Sequence, residues 1–204
     1  MGYTHYWSYK NPVIELGQLM NLKLKIHRDS SSWEEREQKN KSLPTHESLV
    51  KRIIKHSDSF KKIKSELEHV LVSLQKEYDF KICGGLGEGE PRISETEVWF
   101  NGDGSLDLDH ETFAFDLYET GYYKGVDDIK EDGVFGFCKT ARKPYDIAVC
   151  VSLMVIKHHL GSDFSISSDG GLEDGWDEAI KYYEKYFERK APKQLKNYLS
   201  KQNV

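Results

Sequence analysis

The stretch that most constrains this chain is Tyr145 to Leu160. It carries Ile147, Ala148, Val149, Cys150, Val151, Leu153, Met154, Val155 and Ile156 with few polar interruptions. Wound into a helix, such a run has no wet face, so a sheet and other helices must cover it on every side. It is too short to span a bilayer. Pro144 marks the start: the N–H that proline lacks would be unpaired at the first helical position anyway. The spacing therefore predicts a buried helix over 144–160. Asp146 in its first turn suits the positive end of the helix dipole, and Lys157, His158 and His159 suit the negative end. The paired histidines read as caps rather than metal ligands.

The rest of the chain supplies the cover. From Ser57 to Tyr78, the residues Phe60, Ile63, Leu67, Val70, Leu71, Leu74 and Tyr78 recur at spacings of three and four, the mark of one buried helical stripe. A short helix precedes it, carrying Leu49, Val50, Ile53 and Ile54 behind Thr45 as N-cap. Residues 3–9 read as a strand, with Tyr3, His5, Trp7 and Tyr9 on one face and Thr4, Tyr6 and Ser8 on the other. In 13–26 the first half admits a helix, while Leu22, Leu24 and Ile26 alternate with Lys23 and Lys25 like a strand. Further strands are expected at 79–83, 95–101, 112–117 and 163–167, the middle two joined by an Asp/Gly-rich hairpin connection. Residues 118–136 read as a loop. A helix from about Asp174 buries Trp176, Ile180, Tyr183 and Phe187, and Pro192 starts a last polar helix.

Strands and helices do not alternate as βαβ units. The expected class is α+β: a mainly antiparallel sheet of short strands with helices packed on it. Helix 144–160 should pack on a sheet containing residues 3–9 and 96–101. One domain is expected over 1–204, with a polar insertion at about 28–46 that offers only Trp33 and Leu43 to a core and should pack loosely.

The net charge of -5 argues against general coating of nucleic acid, which needs a broad basic surface. Aromatic content of 12% excludes a wholly disordered chain. Cys83, Cys138 and Cys150 are odd in number and scattered, and no pair has zinc-ligand spacing, which fits a reduced compartment. The N-terminus has neither a basic segment nor an apolar core of signal-peptide type. Gly2 is followed by Tyr6 where a myristoylation signal wants Ser or Thr. A cytoplasmic protein is expected.

Four stretches could carry chemistry. The first is Lys139, Thr140, Arg142 and Lys143, three cations and a hydroxyl just before a helix N-terminus, a place suited to an anion. The competing reading is a surface charge cluster with Asp146 paired to one of the cations. The second is the acidic hairpin of Asp103, Asp107, Asp109, His110 and Glu111. It fails the calcium-loop template at Leu106 and Thr112, and Asp and Gly are what turns use. His110 at the mouth of a strand remains a candidate acid/base or ligand contact. The third, Gly84 to Pro91, superficially resembles a phosphate loop but carries Glu90 where a Walker loop needs Lys; it reads as a flexible loop or lid. The fourth is the first strand, where His5 is by default a core histidine and Tyr6 or Trp7 could stack on a base. No nucleophile elbow, HExxH or dinucleotide fingerprint is present.

The segments Met1-Gly2-Tyr3-Thr4-His5-Tyr6-Trp7, Phe100-Asn101-Gly102, His110-Glu111-Thr112-Phe113 and Phe137 to Asp146 together resemble a family of small uncharacterised bacteriophage and prophage proteins. The resemblance implies a phage or prophage origin and the cytoplasm of a bacterial host, and brings no assigned reaction. Its polar members (His5, Asn101, His110, Glu111, Lys139, Thr140, Arg142 and Asp146) exceed what packing needs, so they are expected to converge on one pocket. The leading expectation is binding of a phosphorylated, nucleotide-like small molecule, such as a host immune signalling nucleotide sequestered by the phage. Lys139, Thr140 and Arg142 would hold phosphate, Tyr6 or Trp7 would stack, and Asn101, His110 and Glu111 would hydrogen-bond. One alternative is a phosphodiesterase or nucleotide hydrolase with His5 and His110 as acid/base pair and Lys139 and Arg142 stabilising charge in the transition state. Another is a protein-binding inhibitor of a host factor. No metal and no cofactor are expected.

Overall fold

A computed structural model describes residues 3–41, 43–117, 134–193 and 195. The chain runs β1 (Thr4–Tyr9), α1 (Pro12–Asp29), α2 (Trp33–Lys41), α3 (His46–Tyr78), β2 (Ile82–Cys83), β3 (Arg92–Ile93), β4 (Glu97–Gly102), β5 (Phe113–Asp116), β6 (Val134–Lys139), α4 (Asp146–Leu160), β7 (Phe164–Ser168) and α5 (Asp177–Phe187). All strand pairs are antiparallel, and the fold is α+β as the pattern predicts. The loop expected over 118–136 and the helix expected after Pro192 lie mostly outside the described residues.

There are two small sheets rather than one. The first has the order β6-β1-β7, so the first strand is central and its neighbours come from the second half of the chain. The second has β4 between β2 and β3 and also pairs β4 with β5. Residues 3–9 and 96–101 thus lie in different sheets, contrary to expectation. Phe113 and Phe115 of β5 join the sheets: Phe113 packs on Trp7 and Phe100, and Phe115 meets Tyr9, Phe60 and Phe164 with ring centroids 5.4–5.6 Å apart. Residues 134–139, read partly as loop, form an edge strand, in which Gly136 leaves room for the Trp7 indole against its backbone. A Cβ there would come within 2.4 Å of that ring.

The alternation in β1 is realised. Tyr3, His5, Trp7 and Tyr9 are buried, while Tyr6 and Ser8 are only partly covered on the other face. Behind the buried face lies α4, buried without a break from Ala148 to Lys157 and packed against α3, α5 and β7. The helix itself begins at Asp146, with Pro144 and Tyr145 in the turn before it. At its other end Lys157 donates to the carbonyls of Gly161 and Phe164. This is the cationic cap that the dipole favours. His159 is not a cap: its Nε2 lies 3.1 Å from Glu66 of α3.

The two helices expected over 45–54 and 57–78 are one, α3, with Thr45 accepting from the Ser48 N–H as its cap. The stripe from Phe60 to Leu74 is fully buried. Residues 13–26 are wholly helical. Asn11 caps α1 by accepting from Val13 N–H, and Pro12 opens it. The strand-like leucines Leu22 and Leu24 are exposed. The polar insertion contains α2, a helix in which no residue is buried.

Candidate functional site

The turn between β6 and α4 is built by unusual backbone. Ala141 and Arg142 both have positive φ, 51° and 59°, a conformation that costs non-glycine residues energy and that surroundings must enforce. The enforcement is visible. The N–H groups of Thr140 and Ala141 both donate to the Tyr3 carbonyl, at 2.9 and 3.3 Å, and Lys143 N–H closes the turn on Thr140 O at 3.0 Å. The Arg142 guanidinium lies 4.3 Å over the Tyr3 ring. The start of the described chain therefore holds the basic turn in place.

Beneath the turn is a buried polar cluster. His5 is fully buried. Its Nε2 lies 2.8 Å from Asp146 Oδ1 and 3.6 Å from Cys150 Sγ, and its Nδ1 lies 3.1 Å from Ser168 Oγ. Thr140 Oγ1 donates to Asp146 Oδ1. The Tyr3 and Trp176 rings stand edge-on to the imidazole at 5.0 and 5.1 Å. Burial pushes the Cys150 thiol well above its ordinary value, and the Asp146 carboxylate adds to the effect. A thiol held neutral is a poor nucleophile, which argues against a cysteine hydrolase despite the Cys–His–Asp grouping.

Asp146 also borders a cleft of about 290 Å³ lined by Tyr78, Phe80, Arg142, Lys143, Pro144, Ile147, Gly175 and Glu178. That is near the lower end of ligand pockets. Two cations stand on one side, with aromatic and aliphatic groups beside them. Lys143 reaches Asp107, with Nζ 3.4 Å from Oδ2. Tyr78 is raised to about 12 by burial and by nearby acids, Glu178 first among them. Gly175 sits in a π-helical turn, Leu172–Trp176, with φ of 104°; such turns recur at functional sites.

The structure joins the motif segments, though less as a pocket than as a hydrogen-bonded frame. Asn101 is buried and fully engaged. Its Nδ2 donates to the carbonyls of Gly85 and His110, and its Oδ1 accepts from the N–H groups of Gly102 and His110. Glu111 Oε2 accepts from Lys139 N–H at 2.7 Å, and Tyr145 OH donates to Glu111 O at 2.8 Å. His110 is exposed. Trp7 is a core residue against Phe113. Tyr6 lies on the outer sheet face, stacked with Phe135, its OH donating to Asp169. In register, Lys139 stands opposite Thr4, and Cys138 opposite His5. Lys139 therefore shares the outer face with Tyr6, while His5 faces inward. Of the expected ligand-binding residues, only Arg142 lines the cleft, and Thr140 supports it through Asp146.

The alternative of Asp146 pairing with a neighbouring cation is not what is observed; its partners are His5 and Thr140. In the acidic hairpin, Asp103 Oδ1 accepts from Ser105 N–H and Oγ–H, the turn role that such residues commonly play. The glycine-rich loop is fastened rather than loose, since Gly85 O accepts from Asn101 and Thr112 and Gly87 O accepts from Gly104 N–H. Sequence reasoning missed Cys150, Ser168, Trp176, Tyr78, Phe80 and Glu178. Only Cys150 left a signal: it follows Asp146 by four residues, hence one helical face, inside a run otherwise apolar. No protein-family model, no curated protein and no solved structure matches this chain.

Proposed function

We propose that the protein binds a phosphorylated, nucleotide-like small molecule in the cleft at the start of α4. The observation that carries this reading is the juxtaposition of Arg142 and Lys143 with Tyr78 and Phe80 around one space of about 290 Å³. A guanidinium and an ammonium suit phosphate oxygens. The aromatic rings and Ile147 suit a base, and Glu178 suits sugar hydroxyls or an exocyclic amine. Stacking is thus assigned to Tyr78 and Phe80 rather than to Tyr6 or Trp7. In a phage or prophage setting, such binding would serve to sequester a host signalling nucleotide.

The test is calorimetric titration with a panel of mononucleotides, cyclic dinucleotides and ADP-ribose. Each charge-assisted hydrogen bond is worth about 1.5–3 kcal/mol. Arg142→Ala should therefore weaken binding by roughly 10- to 150-fold, at about 1.4 kcal/mol per decade. Arg142→Lys should recover only part of this, because the bidentate fork is lost. Arg142 is exposed but stacks on Tyr3, so the variant's melting temperature should fall only slightly. Unchanged affinity in a folded Arg142→Ala protein would reduce the turn to surface charge.

A second reading, hydrolysis in the same cleft, is favoured by Asp146, which lines the cleft and is paired with the buried His5 behind it. Chromatography of the same ligands after incubation distinguishes the two, since binding alone returns them intact.

A further inference from the structure

We propose that His5, Asp146 and Cys150 form a binding site for one divalent metal ion of the zinc class. One ligand atom from each, Nε2, a carboxylate oxygen and Sγ, lies within 4.8 Å of the others. Zinc bonds of about 2.0–2.3 Å in a tetrahedron place neighbouring donors roughly 3.4–3.6 Å apart. Here Nε2 to Sγ is 3.6 Å, Sγ to Asp146 Oδ2 is 4.0 Å, and Nε2 to Asp146 Oδ1 is 2.8 Å. The first already fits. The two carboxylate distances are to different oxygens, so the carboxylate must turn to bring one of them to about 3.4–3.6 Å from both Nε2 and Sγ.

The chemistry of the donors selects the metal. Thiolate with imidazole and one carboxylate suits zinc or cobalt and does not suit magnesium or calcium, which take oxygen ligands. The donors come from different parts of the fold: Asp146 and Cys150 from one face of α4, one turn apart at its start, and His5 from the middle strand of the first sheet. Their positions are therefore set by the whole packing rather than by a flexible loop.

The groups behind the donors support the same assignment. Metal-bound histidines hand their other ring nitrogen to a hydrogen-bond acceptor. Ser168 Oγ stands 3.1 Å from His5 Nδ1 and 3.4 Å from the Thr4 carbonyl. In the tautomer with Nδ1–H donating to Ser168, and Ser168 donating to Thr4 O, the lone pair of Nε2 faces the Asp146 carboxylate and the Cys150 sulfur, as a metal ligand needs. Without a metal the 2.8 Å contact is met by a proton between Nε2 and the carboxylate, which the ion would displace. Thr140 orients the carboxylate through Oδ1, leaving Oδ2 on the Cys150 side. Asp146 reaches the cleft surface, so solvent has a path to a fourth position. The inference is independent of the proposed cleft ligand and its test uses none.

The experiment is titration of the reduced, chelator-treated full chain with cobalt(II) alone, followed by zinc competition. We expect a thiolate-to-cobalt charge-transfer band that saturates at one equivalent, is abolished by zinc, and is absent in Cys150→Ser. Zinc should raise the melting temperature of the parent protein and leave that of Cys150→Ser unmoved. Ser168→Ala, which removes only the group behind His5, should keep the band but weaken zinc by about 10- to 100-fold. A folded parent protein that gives no band would overturn the site. So would a band that survives in Cys150→Ser, because the thiolate would then be Cys83 or Cys138.

Discussion

Asn101 shows how a polar residue that looks like a ligand contact can be a fastener. A buried amide with four backbone partners holds β4 to both the glycine-rich loop and the segment before β5. Removing it strands buried backbone groups, each worth about 1–3 kcal/mol. Asn101→Ala should lower stability by roughly 2–4 kcal/mol on that basis, measurable by urea denaturation. A ligand-contact role would instead leave stability intact and change only affinity. The sequence could not separate these roles, because an exposed and a buried asparagine look alike in a strand of alternating character. His5 was legible as an inward-facing core histidine, since alternation in β1 sets the face. Its partners were not, since Asp146 and Ser168 lie 141 and 163 residues away and no local periodicity reports on them.

At the level of elements, burial patterns predicted the structure where they were strong. The stripe of α3 and the all-round apolar character of α4 placed both helices correctly. The strand β6 was missed because its outward residues, Phe135 and Phe137, are exposed aromatics, so the stretch lacks the polar alternation that marks a half-buried strand. The misreading within α1 has a different cause. Leu22, Lys23, Leu24, Lys25 and Ile26 alternate, but the Asn11–Pro12 start commits the chain to a helix, and only Pro12 and Leu19 of it are buried. With no buried residue in α2, the α1–α2 pair should open locally more easily than the core. Amide hydrogen exchange should be fastest across 33–41 and slowest across 148–156, and limited proteolysis should cut first near α2. Protection of 33–41 equal to that of α4 would contradict this placement.

Across the molecule, acid should loosen the joints between helices before it loosens the core. Arg189 makes a bidentate pair with Glu66 at 2.9 and 2.5 Å, tying the segment after α5 to α3. Burial alone would raise the Glu66 carboxyl, but His159 and Arg189 outweigh it and hold the group at about 2. Its folded value is thus below the ordinary 4.5, so its contribution is complete above pH 4.5 and is lost as pH falls toward about 2. His56, between Tyr9 and Asp163, is shifted downward, chiefly by burial. The folded chain resists protonating it, which costs further stability as pH drops below the ordinary 6.5. Denaturation midpoints should fall steadily from pH 7 to 3. Glu66→Gln should be less stable at pH 7 and show a shallower fall between pH 4.5 and 2; an unchanged slope would remove Glu66 from this account.

The central position of β1 in its sheet has a consequence for how the chain is made. Both neighbours of that strand, β6 and β7, are synthesised more than a hundred residues after it. At about 5–20 residues per second, the strand emerges some 10–30 s before its last partner exists. During that interval Tyr3, Trp7 and Tyr9 have no sheet to join, and every pairing that later fixes them must close a long loop. The helices α1 to α3, in which α1 contacts both of the others, can form meanwhile. The nascent chain therefore carries an aromatic, strand-forming segment that stays unpaired until β7 has been made. In that interval the segment is open to chaperone capture or to pairing with another copy.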